Sequence, residues 1–324
     1  MNRRELLTLG MIAALPSSAL AQQPKATRRL GVLSVTAADD AIGQTRSTVL
    51  VEALAGLGWK ERDNLGIDWR SGGGDRVRIA QLADELIALK PDILLAVGTP
   101  SVEELRRRTT TIPIVFAVVT DPVSQGFVEN LAHPGGNVTG FTDYDGPLAG
   151  KWLEMLTQVT PPVRRVFVVY NPATAPFASL MLRTIEDAAR TLHVTVEPAP
   201  VNDAASIAAL ASRKDGGFLI LPDFFTMANR AQLLAAIQQA RVPAVFWSRT
   251  FVEEGGLMSY STDSAEQVRR AAGYIDRILK GASPAELPVQ NPTKFELAVN
   301  LKTAREFGVT LAPGLIALAN DVIE

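Results

Sequence analysis

Asp92-Ile93-Leu94-Leu95-Ala96-Val97-Gly98-Thr99-Pro100-Ser101 is the stretch that decides the fold. Its apolar run is nearly continuous, with no polar residue at alternate positions. A strand exposed on one face alternates, whereas a strand covered on both faces does not need to. The helix-forming Pro100–Arg108 run follows directly, and Ile112–Val119 is a second strand of the same kind. Toward the N-terminus, Asp75–Leu89 places Ile79, Leu82, Ala83, Leu86 and Ile87 on one helical face, behind a short alternating strand, Leu65–Trp69. Gln44–Leu57 carries Leu50, Leu54 and Leu57 at helical spacing before Gly58, and Leu30–Val35 is the first strand. Apolar strands separated by helices predict an α/β fold with a parallel sheet between helical layers.

The turn-rich His133-Pro134-Gly135-Gly136-Asn137 and a short strand, Val138–Phe141, close this first run. A second begins with a helix through Leu148, Trp152, Leu156 and Val159. Strands are expected at Arg165–Tyr170, Val194–Glu197, Gly217–Leu221 and Pro243–Trp247, with helices at Ala175–Leu192, Asp203–Ser212 and Thr226–Ala240 between them. The pattern repeats without any repeat of the sequence. The C-terminal segments (Leu257–Tyr260, a helix over Asp263–Leu279, Pro288-Val289-Gln290, Phe295–Val299 and Thr303–Phe307) are too few for a third core. They are expected to complete the two existing sheets, so the chain crosses between lobes more than once and forms a hinge.

Composition narrows the function. The 324 residues are 47% hydrophobic and 20% charged, as in a globular protein and unlike a disordered or collagen-like chain. With no cysteine, disulfides, iron–sulfur clusters, thiolate zinc sites and cysteine nucleophiles are excluded. Lys+Arg 32 against Asp+Glu 34 gives no support for nucleic-acid binding. Asn2-Arg3-Arg4, the apolar Leu6–Leu15 and Ala19-Leu20-Ala21 read as a signal peptide, residues 1–21, cleaved after Ala21. The apolar run is too short to span a bilayer. General secretion and twin-arginine export are both compatible with it. No cysteine follows for lipid attachment, so the expected location is the periplasm, in soluble form.

In open parallel sheets a ligand binds beyond the carboxyl ends of the strands. Those ends carry Ser34, Thr99 and Ser101, Thr120 and Asp121 in the first run, and Asn171 and Asp223 in the second. Thr99-Pro100, Asp121-Pro122 and Asn171-Pro172 read as helix starts, whose free N–H groups and positive dipole end suit a carboxylate. Asp121 and Asp223 are candidates to neutralise a ligand amine, although capping alone also accounts for Asp121. Trp247 and Tyr260 are candidates to stack on a ligand or to pack the hinge.

Other signals carry less. Gly72-Gly73-Gly74-Asp75 lacks the phosphate-loop spacing and reads as a loop with an Asp75 cap. His133 and His193 have no metal-ligand neighbours, and no Gly-x-Ser-x-Gly is present. Arg106-Arg107-Arg108 ends a helix, where cations complement the dipole. No metal, cofactor or catalytic residue is expected.

Four stretches together carry a family resemblance. They are Thr109-Thr110-Thr111-Ile112-Pro113-Ile114-Val115-Phe116 with Thr120-Asp121-Pro122-Val123; Pro134-Gly135-Gly136-Asn137-Val138-Thr139-Gly140; Glu254-Gly255-Gly256-Leu257-Met258-Ser259-Tyr260; and Pro292-Thr293-Lys294-Phe295-Glu296-Leu297 with Asn300-Leu301-Lys302-Thr303-Ala304. The chain resembles the substrate-binding proteins of bacterial ABC importers, in the branch with tryptophan- and tyrosine-associated members. That resemblance implies a type I periplasmic-binding-protein fold of two Rossmann-like lobes and three crossings, near 140, 256 and 287. Lobe one would be 28–140 plus 256–286, and lobe two 141–255 plus 287–324. It further implies a monomer that delivers a small, amino-acid-like ligand to an ABC permease in the inner membrane. Two alternatives stand beside it. One is a sensor that presents its ligand to a membrane kinase or chemoreceptor. The other is an exported α/β enzyme, which would need a nucleophile–base pair that the sequence does not offer.

Overall fold

The two apolar runs on either side of Gly98 form neighbouring central strands with every residue buried, β3 (Ile93–Val97) and β4 (Ile114–Val119). The structure, a computed structural model, describes residues 27–144 and 146–324; the expected signal peptide lies outside them. In lobe one, β1 (Arg28–Ser34), α1 (Ala41–Gly56), β2 (Leu65–Ser71), α2 (Arg76–Ala88), β3, α3 (Thr99–Arg108), β4 and β5 (Val138–Thr142) build a five-stranded parallel sheet in the order β2-β1-β3-β4-β5. The edge strand β2 is mostly half-buried, while β3, β4 and β5 are fully covered.

Lobe two begins with α4 (Gly146–Thr157). It continues through β6 (Val159–Thr160), β7 (Arg165–Tyr170), α5 (Ala178–Leu192), β8 (Thr195–Pro200), α6 (Ala204–Ala209), β9 (Gly217–Ile220), α7 (Phe224–Ala228), α8 (Arg230–Ala240), β10 (Ala244–Phe246), α9 (Arg249–Glu253) and β11 (Met258–Thr262). The strand order β8-β7-β9-β10-β11 repeats the winding of lobe one. The chain then passes to α10 (Ser264–Leu279), which packs on α1, β3, β4 and β5 of lobe one. Residues 287–290 run beside β5, where Gln290 bonds Gly140 and Thr142. The chain returns as β12 (Phe295–Asn300), α11 (Leu301–Phe307), β13 (Thr310–Leu311), α12 (Pro313–Ala317) and β14 (Asp321–Ile323). β12 lies antiparallel to β11 and β14 parallel to β12, which completes a seven-stranded sheet; β13 pairs with β6.

Residues 256–262, placed with lobe one by the resemblance, belong by hydrogen bonding to the lobe-two sheet, where β11 lies between β10 and β12. The apolar Leu257-Met258 needs cover from both faces, and an interior strand supplies it. The three crossings therefore fall after Thr142, at Asp263 and at 291–294. The expected single helix over Thr226–Ala240 is two helices meeting at Asn229.

Gly140 shows what the sheet demands locally. A Cβ there would stand 2.1 Å from the carbonyl oxygen of Phe116. β4 and β5 approach so closely only because residue 140 has no side chain.

Candidate ligand-binding cleft

Both sheets present the carboxyl ends of their strands to one cleft. In each lobe the winding reverses beside the first strand, so the ends of β1 and β3 face the ends of β7 and β9. At the lobe-two switch point, Asp223 Oδ2 accepts a 2.6 Å hydrogen bond from the Asn171 backbone N–H. Its Oδ1 accepts from Thr174 Oγ1 and, at 2.8 Å, from Phe225 N, which makes it the N-cap of α7. Asp223 is 2% exposed, and burial pushes its carboxyl up to about 6 against those hydrogen bonds.

Gly98 (φ 92°), not Thr99, caps α3; Thr99 is the first helical residue. Glycine is needed here for a second reason. A Cβ at position 98 would lie 2.9 Å from the ring of Phe224, which projects from α7 across the cleft. Phe224 packs on the lobe-one core, and Ile42 of α1 packs on the lobe-two core. Arg76 of α2 donates to the Ala173 carbonyl at 3.2 Å. These reciprocal contacts describe a closed arrangement of the lobes.

Between them lies a tight inner chamber of about 10 Å³, room for no more than a water molecule as the lobes stand. Lobe one contributes Thr99, Val118 and Thr120; lobe two contributes Thr174, Phe177, Pro222, Asp223, Phe224 and Trp247; Asp143 comes from the first crossing. Past Asp143, Phe224 and Trp247 the cleft widens into an outer chamber of about 290 Å³ that opens to solvent. Its walls include Thr36, Ile42 and Arg46, the Trp247–Thr250 segment and residues 261–265.

The chamber wall is strained at one point. Val118 has φ 60°, an unfavourable value for a β-branched residue, beside an irregularity in the β4–β5 pairing. Its N–H donates to Gln267 Oε1 of α10 at 2.9 Å, and Gln267 Nε2 donates to Asp143 Oδ1 at 3.0 Å. Thr262 also donates to Asp143 Oδ1. Burial raises the Asp143 carboxyl above its ordinary value, opposed by these hydrogen bonds and by the charge of Arg46. Next to it, the buried Tyr144 hydroxyl donates to the Trp247 carbonyl, and its ring sits edge-on to Trp152 with centroids 5.2 Å apart. Burial drives the Tyr144 phenol well above its usual value.

Of the residues named from sequence, Thr99, Thr120, Asp223 and Trp247 come together around the inner chamber. The others lie apart. Ser101 Oγ donates to the Val97 carbonyl in the core, and Asn171 Oδ1 accepts from Ala173 N. Asp121 (φ 45°) accepts from Ser124 N in a turn, with no helix behind it. Ser34 Oγ bonds Thr36 Oγ1. The half-buried Tyr260 stacks on Phe295 at 5.4 Å, and its carbonyl accepts from Trp152 Nε1. Neither Asn171 nor Asp121 starts a helix, because the proline after each opens a turn. Asp143 and Arg46 were not named from sequence. Of these, only Arg46 left a signal, one turn before Leu50 on the buried stripe of α1.

Comparison with known proteins places this cleft in context. Residues 32–323 match the family model of ABC transporter substrate binding proteins. A tyrosine-binding protein of Clostridioides difficile (strain R20291) is 25% identical over 258 residues, 79% of this chain and 74% of that protein. The ABC domain in complex with L-Trp from Streptococcus pneumonia superposes with TM-score 0.84 at 25% identity, covering 92% of this chain and 100% of the other. A conserved domain protein from Vibrio cholerae gives TM-score 0.84 at 28% identity, covering 91% and 99%.

Proposed function

The chain belongs to the ABC transporter substrate-binding family, and on that premise we propose that it captures a small amino acid between its hinged lobes and delivers it to an ABC permease in the inner membrane. The fold is that of the type I periplasmic binding proteins, and the family binds solutes without converting them. The observation that carries the reading is the cleft, whose outer chamber is walled by side chains of both lobes and by the crossing between them. A solute there is enclosed only when the lobes close, so binding energy is coupled to closure. The outer chamber, about 290 Å³, lies at the lower edge of the range for small-molecule sites and suits a metabolite. Thr99 and Thr120 offer hydroxyls from one lobe, and Thr174 and Asp223 offer polar groups from the other. Phe224 and Trp247 supply aromatic faces. The L-Trp complex and the tyrosine-binding relative support an aromatic amino acid as the solute. Ser34, Ser101, Asp121, Asn171 and Tyr260 would shape the cleft from behind.

Substrate-binding proteins of ABC transporters work outside the cytoplasm. We assign this chain to the periplasm as a soluble monomer, with residues 1–21 as its signal peptide. No helix among the described residues is long and apolar enough to cross a membrane.

A thermal-shift screen over amino acids, nucleosides and sugars tests the proposal. A ligand at a hundred times its Kd adds about 2.7 kcal/mol to the folded state, which raises Tm by several degrees. An unchanged Tm with every solute would count decisively against it.

A further inference from the structure

Two charged side chains in the cleft lack matching partners among the described residues. Arg46 lies on the same stripe of α1 as Leu50 and Leu54 and is only 6% exposed. Its Nε donates to Ser264 Oγ at 3.1 Å, but Nη1 is buried with no hydrogen-bond partner among the described residues. Asp143 is 3% exposed. Thr262 and Gln267 both donate to its Oδ1, and among the described residues none donates to its other oxygen. Arg46 and Asp143 influence each other's ionisation, and both line the outer chamber, yet they form no ion pair. Burying a charged group without a matched partner is unfavourable. Trp247 Nε1, on the same chamber, is a further buried donor without an acceptor among the described residues.

A molecule with a carboxylate and an ammonium on one carbon supplies what both sites lack. We propose that Arg46 and Asp143 are the two anchors of the ligand's head group: Arg46 donates to the α-carboxylate, and the free oxygen of Asp143 accepts from the α-ammonium. Asp223 is the less suitable amine site, because Asn171, Thr174 and Phe225 already occupy its oxygens. Phe224 and Trp247, shared by both chambers, then face the ligand's side chain. This assignment rests on the receptor reading and makes it specific: the selected class is zwitterionic α-amino acids.

Calorimetry on the mature chain tests it with L-tryptophan, L-tyrosine and L-leucine. Each is compared with the amine that lacks its carboxylate and the acid that lacks its ammonium; for tryptophan these are tryptamine and indole-3-propionate. At least one amino acid should bind, with both of its truncated analogues about a hundredfold weaker, as expected for leaving one buried charge unpaired. In Arg46→Met the preference for that amino acid over its amine should collapse to within about threefold, with Arg46→Lys retaining part of it. Asp143→Asn should abolish the preference over the acid in the same way. A wild-type chain that binds the amine as tightly as the amino acid overturns the assignment without any variant. So does an Arg46→Met protein that still discriminates. Binding of a sugar or nucleoside but none of the three amino acids removes the anchor and leaves the receptor; binding of no solute removes both.

Discussion

Asp223 gives the sharpest pH test of the cleft. Its carboxyl is pushed from 3.8 to about 6, and burial is the largest cause. Between those two values the folded protein holds a proton that the unfolded chain has released. Stability from this group is thus fully present below about pH 3.8 and lost as pH rises through about 6. A displacement of roughly two pKa units corresponds to about 3 kcal/mol at about 1.36 kcal/mol per unit. Asp223→Asn removes the titration. It also removes one acceptor, so either Asn171 N loses its bond or Thr174 Oγ1 and Phe225 N lose theirs, at a cost of about 1–3 kcal/mol that does not vary with pH. Urea unfolding of both proteins at pH 4 and pH 7.5 isolates the effect, since every other titrating group is common to the pair. The variant should be less stable than wild type at pH 4 and should close most of that gap at pH 7.5. A stability difference that is constant within about 0.5 kcal/mol would show that Asp223 titrates like an exposed carboxyl, and the argument from burial would fall.

Phe224→Ala removes the ring that bridges α7 to the lobe-one core, and should weaken ligand binding about tenfold by disfavouring closure; unchanged affinity by calorimetry would show that the bridge does not hold the lobes together. Gly140→Ala drives a Cβ into the backbone of Phe116 and should cost about 3 kcal/mol in urea unfolding, where a loss below about 1 would show that β4 can yield. Gln267→Leu strips Val118 N of its acceptor and Asp143 of a donor; a loss of about 2 kcal/mol with a broadened Val118 amide resonance is expected, and an unaltered resonance would separate the strain at Val118 from Gln267.

Much of this architecture was legible because burial on both faces erases alternation. β3 and β4 carry that mark in plain view. A continuous apolar strand does not say which sheet it joins, so β11 could be recognised as a strand but not assigned to its lobe. Thr99, Thr120 and Asp223 could be nominated from their places after strands, yet their meeting depends on strand order, which puts β7 beside β9. The proline after Thr99 marked the helix start, but a cap at Gly98 with φ 92° depends on how the chain must turn toward Phe224. Asp143 was hidden for a different reason. It lies between elements, and its burial arises only where Thr262 and Gln267 converge on it from far along the chain. Arg46 was readable in principle: an arginine one turn before Leu50 and Leu54 interrupts an otherwise apolar stripe.

The three crossings also set the order in which a growing chain can become a protein. The core of lobe one beneath α1 stays unsealed until Val268, Ala271 and Ile275 of α10 exist to cover Leu50 and Leu54. Lobe two waits longer still, for β12 and β14 to finish its sheet. Both cores are thus completed by roughly the last fifth of the polypeptide, and long-range closures of this kind are slow. A chain emerging from the ribosome stays pliable through most of its synthesis, and a chain cut before residue 264 would leave two unfinished halves rather than one.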